Sequence, residues 1–176
     1  MYKHLKEAGR IITKVLFFCI AIVLFNHFIA QRVVVVGESM LPSYEDKENL
    51  IMEKVSYHFT DPERFDVVVV DTEGPYGIVI KRIIGLPGET ILIEEDGDIL
   101  VNGDVLEESY GAEVINSDLR GRATEEIKLG NNEYFVLGDN RNHSGDSRIV
   151  GIGNIEKSQI LGKIIIKIPF VKGLAK

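Results

Sequence analysis

The chain has 176 residues, a length that fits one domain with a small elaboration. Apolar residues make up 45% and charged residues 27%, a globular composition that excludes a disordered, collagen-like or multi-pass membrane chain. A single cysteine excludes an internal disulfide and a cysteine-based zinc site, and the net charge of −7 argues against nucleic-acid binding. The charge is uneven, because the first 30 residues hold 4 of the 20 Lys and Arg residues but only 1 of the 27 Asp and Glu residues.

The segment 11–30 is predicted to be a membrane anchor. Residues 15–25 are an unbroken apolar run, and a helix of about 20 residues covers the ~30 Å hydrocarbon thickness of a bilayer. A cleaved signal peptide and a buried core helix are the alternatives, but the run is long for a signal peptide and no small-x-small cleavage site follows it. Basic residues precede the run and only Arg32 follows closely, which predicts cytoplasmic residues 1–10 and an exported domain at 31–176.

The rest of the chain is predicted to be mostly β. Short β-branched runs, separated by turn signals, predict strands at 33–36, 50–55, 67–70, 78–84, 90–93, 99–101, 133–137 and 160–168. The pairs Asp96-Gly97 and Asn102-Gly103 suit tight hairpins, and no amphipathic helix stands out after the anchor. Many short strands of this kind indicate a folded-sheet or barrel-like β domain. Residues 106–131 are polar and are interpreted as a solvated insertion or flexible lobe.

The strand at 78–84 carries two adjacent cations, Lys81 and Arg82. Strand alternation places them on opposite faces, so at least one lies among apolar side chains. An edge strand with both charges reaching water is one interpretation. The other is a desolvated amine, because burial lowers a lysine pKa from ~10.4 by about 3–5 units and makes a neutral base available.

A lysine base needs a nucleophile, and Ser39 is the candidate. It lies on a turn after a run of valines that breaks at Gly37, where free backbone N–H groups can form an oxyanion hole. By itself this pattern is more typical of a plain strand-ending turn. The four histidines form no metal or paired motif, so His58 and His143 are interpreted as surface residues, although a triad built on His143 stays open.

The segment 138–148 is dense in glycine, short polar residues and arginine. A surface loop is the default interpretation, and a calcium loop is disfavoured because the acids are few and the terminal glutamate is missing. The spacing of Asp146 and Arg148 permits a local ion pair, and Asp139 is a candidate partner for Arg141 or for Arg82.

Four segments, in order, resemble the motif boxes of bacterial type I signal peptidase of the short single-span type. Residues 37–43 resemble the nucleophile box, 65–69 a short strand box, 80–89 the lysine box and 138–148 the box Gly-Asp-Asn-Arg-x-x-Ser-x-Asp-Ser-Arg. The resemblance covers the chain except 106–131. It implies a mostly β catalytic core with a small inserted β lobe at roughly 90–132, preceded by one N-terminal transmembrane helix.

The resemblance implies roles for particular residues. Ser39 matches the nucleophile and Lys81 the general base, with the Ser39 N–H as an oxyanion donor. Gly37 stands where some members have a serine whose hydroxyl is the second donor, so that donor is open. Ser144 matches the serine that hydrogen-bonds and orients the lysine. The supporting polar network is Asp139, Arg141, Asp146 and Arg148, and the expected oxyanion and substrate-binding residues are Gly37, Ser39, Met40, Val34 and Val36.

The implied function is the removal of signal peptides from exported preproteins after small residues, at Ala-x-Ala-like sites. The expected location is the plasma membrane, with the lipid bilayer as a partner and without a metal, a cofactor or nucleic acid. A self-cleaving Ser-Lys regulator of related fold is one alternative, but the sole Ala-Gly pair is Ala8-Gly9, on the opposite side of the predicted membrane from Ser39. A catalytically silent membrane-anchored β-domain adaptor is another, and retention of Ser39, Lys81 and Ser144 argues against it. The oligomeric state stays open.

Overall fold

The computed structural model describes residues 2–111 and 113–169, but not the side chains of residues 2–6, 8, 21 and 24–28. The end of the predicted exported domain, 170–176, lies outside the described residues, as do the side chains of the anchor-flanking Lys3 and Lys6. A helix, α1, covers Tyr2–Phe28 and so begins well before the predicted segment 11–30. Within the described part of the chain, no helix combines the length and apolarity needed to cross a membrane, so the predicted anchor is not confirmed.

The described residues contain eleven strands, and the prediction of a mostly β chain is confirmed. The eight predicted strands are all present, while three two-residue strands were missed because a pattern needs more positions than they have. The strands are β1 (Ala30–Val34), β2 (Asn49–Glu53), β3 (Val67–Asp71), β4 (Ile78–Gly85), β5 (Thr90–Ile93), β6 (Ile99–Val101), β7 (Asp104–Val105), β8 (Ile127–Lys128), β9 (Glu133–Leu137), β10 (Ile155–Glu156) and β11 (Ile160–Ile168).

Two antiparallel sheets organise these strands. The larger has the order β1-β2-β11-β3-β4-β9-β10, and the smaller has the order β7-β6-β5-β8. Strand β4 pairs with β3 on one side, where Lys81 is opposite Val68, and with β9 on the other, where Arg82 is opposite Leu137. It is therefore an internal strand, and the interpretation of 78–84 as an edge strand is wrong. Lys81 is only 3% exposed and Arg82 only 6%.

Strand β4 contributes to three separate apolar clusters. Ile84 lies in the cluster under the smaller sheet, Ile83 in the cluster with Tyr134, and Ile80 packs against the cluster that contains Met40. A strand packed on both faces has little freedom to move. The two cations of β4 are therefore held at fixed positions in the protein interior.

The strands of the smaller sheet lie between residues 90 and 128, and most of the polar segment 106–131 connects β7 to β8. Asn102 and Gly103 have φ angles of 53° and 85°, as a tight turn between β6 and β7 requires. Ile115, Ala123 and Leu129 are buried in the cluster beneath this sheet. A few widely spaced apolar residues thus pack the segment 106–131 onto the core, while most of its side chains are exposed, as the interpretation of a solvated insertion predicts.

Candidate active site

The side chains of Ser39 and Lys81 meet at the end of strand β1. Lys81 Nζ donates a hydrogen bond to Ser39 Oγ over 2.7 Å. The strand β4 supplies the lysine, and the turn 38–44 supplies the serine. Two segments 42 positions apart in the sequence thus bring an amine and a hydroxyl within proton-transfer distance.

The buried position of Lys81 changes its proton affinity. Burial lowers the pKa of Lys81 from 10.5 to about 8, and the nearby Arg148 also lowers it, while Asp146 and Asp139 partly oppose the change. No carboxylate of the described residues forms an ion pair with this amine. With a pKa near 8, roughly a tenth of the Lys81 amine is neutral at pH 7.

Asn140 holds the main chain on both sides of Ser39. Its backbone N–H donates to the Ser39 carbonyl over 3.0 Å, and its Nδ2 donates to the Glu38 carbonyl over 3.1 Å. Gly138 also touches this turn, because a Cβ at that position would collide with the Ser39 carbonyl and the Ser144 side chain. Sequence reasoning missed Asn140, since only its position within the box 138–148 pointed to it.

Gly37 has a φ of +86°, a conformation that favours glycine. Its N–H donates to Asp46 Oδ1 over 2.9 Å, so this amide is occupied. Gly37 is also absent from the residues that line the cleft described below. The prediction that Gly37 contributes directly to oxyanion or substrate binding is therefore not supported by the geometry, because its donor is turned to the Asp46 carboxylate.

On the other face of β4, Arg82 forms a two-pronged ion pair with Asp139. The Nε–Oδ1 distance is 2.8 Å and the Nη2–Oδ2 distance is 2.6 Å. Ser43 Oγ donates to the same carboxylate, and the guanidinium lies 3.8 Å from the centre of the Tyr110 ring. Of the two partners considered for Asp139, Arg82 is the one found and Arg141 is not. Ser43 and Tyr110 were missed, because neither is near Arg82 in sequence.

The other two arginines of the predicted network are also paired. Arg148 Nε donates to Asp146 Oδ1 over 2.8 Å, which is the local pair that the spacing permits. Arg141 pairs with both carboxylate oxygens of Glu108, from the segment before β8, and donates to the Gly138 carbonyl over 3.1 Å. Each buried guanidinium therefore has a carboxylate partner, which leaves Lys81 as a buried cation without one among the described residues.

Ser144 does not make the predicted hydrogen bond to Lys81. Its Oγ is buried and has no hydrogen-bond partner in the described part of the chain. The side chain lies against Gly138 and lines a pocket of about 210 Å³ beside Arg148, next to residues 118–121. The hydrogen bond that Lys81 makes in the described part of the chain goes to Ser39 Oγ instead.

A cleft of about 620 Å³ opens onto Ser39 and Lys81. One wall is residues 31–36, which include the predicted Val34 and Val36, and the other is residues 78–81 of β4. Met40 also lines the cleft, as does Tyr76, which sequence reasoning missed. His58 and His143 are exposed and line none of this cleft.

Comparison with known proteins identifies the family. A family model described as signal peptidase, peptidase S26, matches residues 8–169. Signal peptidase I of Leptolyngbya laminosa is 38% identical over 148 residues, which cover 80% of this chain and 69% of that protein. Signal peptidase I P of Bacillus subtilis subsp. natto is 36% identical over 156 residues, 86% of this chain and 83% of that protein. A crystal structure of a signal peptidase I from Enterococcus faecalis matches with 30% identity and a TM-score of 0.48, covering 60% of this chain and 98% of that chain.

The chain is thus a hydrolase of the serine peptidase class. It belongs to the signal peptidase family, peptidase S26, since the family match covers most of its length. Its enzymatic type is that of signal peptidase I, which the relatives at 36–38% identity share.

Proposed function

We propose that this peptidase cleaves signal peptides from exported preproteins with Ser39 as nucleophile and Lys81 as general base. The observation that carries the proposal is the 2.7 Å contact between Lys81 Nζ and Ser39 Oγ. The lowered pKa of Lys81, about 8 because of burial, makes the neutral amine accessible near physiological pH.

The reaction follows from these two groups. The neutral Lys81 amine accepts the Ser39 hydroxyl proton as Oγ attacks the scissile carbonyl, and the resulting ammonium then protonates the leaving amine. Oγ remains bonded to the acyl half of the substrate until water, activated by the same amine, releases it. The Ser39 N–H is the expected oxyanion donor.

The substrate is proposed to lie extended along β1. This strand is at the end of the larger sheet, so one of its edges is unpaired within the described residues. An extended peptide can pair with such an edge, while alternate side chains enter the cleft. Val34 and Val36 line the cleft beside Ser39, and branched side chains there leave room for small substrate residues. This arrangement supports cleavage after alanine-like residues.

The test is incubation of a purified preprotein with the full chain in detergent, followed by N-terminal sequencing of the product. Cleavage after a small residue is expected. Ser39→Ala, Lys81→Ala and Lys81→Arg should each abolish it, the last because a guanidinium stays protonated near neutral pH. His143→Ala is the matched control and should be nearly silent. Activity of Lys81→Arg above a few per cent would refute the lysine base.

Ser144 is proposed to orient the neutral lysine. When the Lys81 lone pair faces Ser39, its N–H groups need acceptors, and the buried Ser144 Oγ is unused among the described residues. Ser144→Ala should lower kcat about 10²–10⁴-fold with little change in KM, because no substrate contact is assigned to it. Ser144→Thr should retain more activity. A near wild-type rate for Ser144→Ala would remove Ser144 from the site.

The segment 11–30 is proposed to anchor the enzyme in the plasma membrane, with residues 1–10 in the cytoplasm. The support is the apolar run 15–25 and the exposure of those of its side chains that the structure describes, of which Phe17 is 74% exposed. Strand β1 begins at Ala30, so Ser39 would lie close to the outer membrane surface, where the cleavage site of a membrane-held preprotein also lies. Protease added outside spheroplasts should digest residues 31–176 and spare residues 1–10. Protection of the large domain would contradict this topology.

A further inference from the structure

The second oxyanion donor of the site can be derived from the main chain around Ser39. The position of Gly37 offers no hydroxyl, and its N–H is bonded to Asp46. The next amides along the chain that belong to cleft-lining residues are those of Ser39 and Met40. Neither of these two N–H groups donates to any protein atom of residues 2–111 and 113–169.

Hydrogen bonds to the carbonyl groups of the same two peptide units determine the direction of the Ser39 and Met40 N–H groups. The carbonyls of Glu38 and Ser39 both accept hydrogen bonds from Asn140, one from its side chain over 3.1 Å and one from its backbone over 3.0 Å. In a planar trans peptide the N–H points opposite to the C=O. The peptide units 38–39 and 39–40 are both trans, so the N–H groups of Ser39 and Met40 point away from Asn140.

The side away from Asn140 is the cleft. Ser39 and Met40 line that cleft and Asn140 does not. A further bond, from the Leu41 N–H to the Glu38 carbonyl over 3.1 Å, closes the turn and keeps the two peptide units in this orientation. Two unpaired, parallel N–H groups on consecutive residues form a concave anion-binding arrangement.

We propose that the N–H groups of Ser39 and Met40 together bind the oxyanion, and that Asn140 is the positioning residue that aims both. This inference rests on the proposed role of Ser39 as nucleophile. As Ser39 Oγ bonds to the substrate carbonyl carbon, the Ser39 proton passes to Lys81 and the carbonyl oxygen becomes negative. The donors are already in place, so the turn needs no rearrangement when that charge develops.

Asn142 provides a matched control in the same loop. Its side chain also donates to a distant carbonyl, that of Val114, over 2.9 Å, and its Oδ1 accepts from the Asn116 N–H over 2.9 Å. Asn142 thus ties the loop to the connection between β7 and β8, whereas Asn140 ties it to the nucleophile turn. Removal of either amide breaks comparable hydrogen bonds, but only removal of the Asn140 amide affects the oxyanion donors.

The test compares Asn140→Ala, Asn140→Asp and Asn142→Ala in full-length enzyme in detergent. Asn140→Ala should lower kcat by about 10- to 100-fold, somewhat less than the ~10²–10³-fold cost of losing an oxyanion donor outright, because the backbone bond to Ser39 remains. KM and the apparent pKa of kcat/KM should stay unchanged in Asn140→Ala. Asn140→Asp keeps the volume but loses the donor, so it should not restore activity.

Other results would overturn the inference. An Asn140→Ala rate within twofold of wild type, a loss confined to KM, or an equal loss in Asn142→Ala would each do so. Ser39→Ala in the same assay distinguishes failure of this inference from failure of the proposed function, because activity in that variant would refute Ser39 as the nucleophile.

A second measurement uses wild-type enzyme and does not depend on how the variants fold. A peptide aldehyde ending in alanine should add to Ser39 and place its oxygen where the oxyanion forms. The amide proton signals of both Ser39 and Met40 should then move downfield in NMR spectra. Movement of the Ser39 signal with a stationary Met40 signal would show that Met40 is not a donor.

Discussion

The two faces of strand β4 surround a buried cation with opposite kinds of partner. On the cleft face, Lys81 contacts a neutral hydroxyl and has no carboxylate partner among the described residues. On the other face, Arg82 has a carboxylate held by two hydrogen bonds and an aromatic ring over its guanidinium. The residues are neighbours in sequence and nearly equal in burial, so the difference comes from the partners that each face meets.

This difference separates a reactive cation from a structural one. A buried charge without a partner is destabilised relative to its neutral form, which lowers the pKa of Lys81 to about 8. A buried guanidinium cannot lose its proton, so it needs a full counter-charge instead. The comparison therefore predicts that mutations on the two faces have opposite effects on stability.

The largest effect is expected from Lys81→Met, which removes the amine and keeps an apolar stem of similar length. Cleavage should fall by about 10⁴-fold or more, as for loss of a central catalytic group. The free energy of unfolding at pH 7 should rise, by at most about 3 kcal/mol, because the pKa decrease from 10.5 to about 8 measures the cost of burying the charge. Urea denaturation checks this, with the exposed Lys47→Met as the neutral control. A destabilised Lys81→Met would contradict the comparison.

On the opposite face, Asp139→Asn should destabilise the protein. It leaves the Arg82 guanidinium buried with a neutral partner, and breaking a buried ion pair typically costs about 3–5 kcal/mol. The same denaturation experiment measures the loss, and Asp61→Asn, at an exposed ion pair with Lys157, is the control with an expected effect of at most about 1 kcal/mol. Equal losses of unfolding free energy in the two variants would mean that burying an ion pair does not change its contribution to the stability of this protein.

The pH dependence of cleavage should report Lys81. Its lowered pKa means that the neutral fraction, and with it kcat/KM, rises about tenfold per pH unit below pH 8 and levels off above it. Stability should change in the same direction, since the unfolded chain holds the Lys81 proton up to about pH 10.5 and the folded chain releases it near 8. The Lys81 penalty is thus complete below pH 8 and disappears as the pH rises through 10.5. A flat kcat/KM profile between pH 6 and 8 would exclude Lys81 as the titrating base.

The smallest effect is expected from Tyr110→Leu. The ring lies 3.8 Å from the Arg82 guanidinium at a partly exposed position, where a cation–π contact contributes about 0.5–1 kcal/mol. The change should lower Tm by a few degrees and leave the pH profile of cleavage in place. Phe59→Leu, at a ring that is 83% exposed, is the control and should leave Tm unchanged. A shifted pH profile in Tyr110→Leu would mean that the two faces of β4 are coupled.

Much of this protein is determined by local sequence pattern. The alternation of apolar residues in β4 sets Lys81 and Arg82 on opposite faces, whatever the strand packs against. The β-branched runs and turn residues give the eight predicted strands, and the two-residue spacing of Asp146 and Arg148 suffices for their ion pair. Each of these features depends on neighbours within a few residues, so it can be predicted from the sequence alone.

Tertiary structure alone decided the partners. Asn140 reaches the turn of Ser39 across 102 positions, and Glu108 reaches Arg141 across 33. The side chains that face an internal strand are determined by how the larger sheet packs in the folded chain. This packing brings a hydroxyl to Lys81 and a carboxylate to Arg82. For the same reason the sequence did not reveal that the Gly37 N–H donates to Asp46, nor that the Ser144 Oγ has no hydrogen-bond partner among the described residues. A residue pattern fixes the direction of a side chain relative to its own strand, but the pKa and chemistry of that side chain depend on what the fold places opposite it.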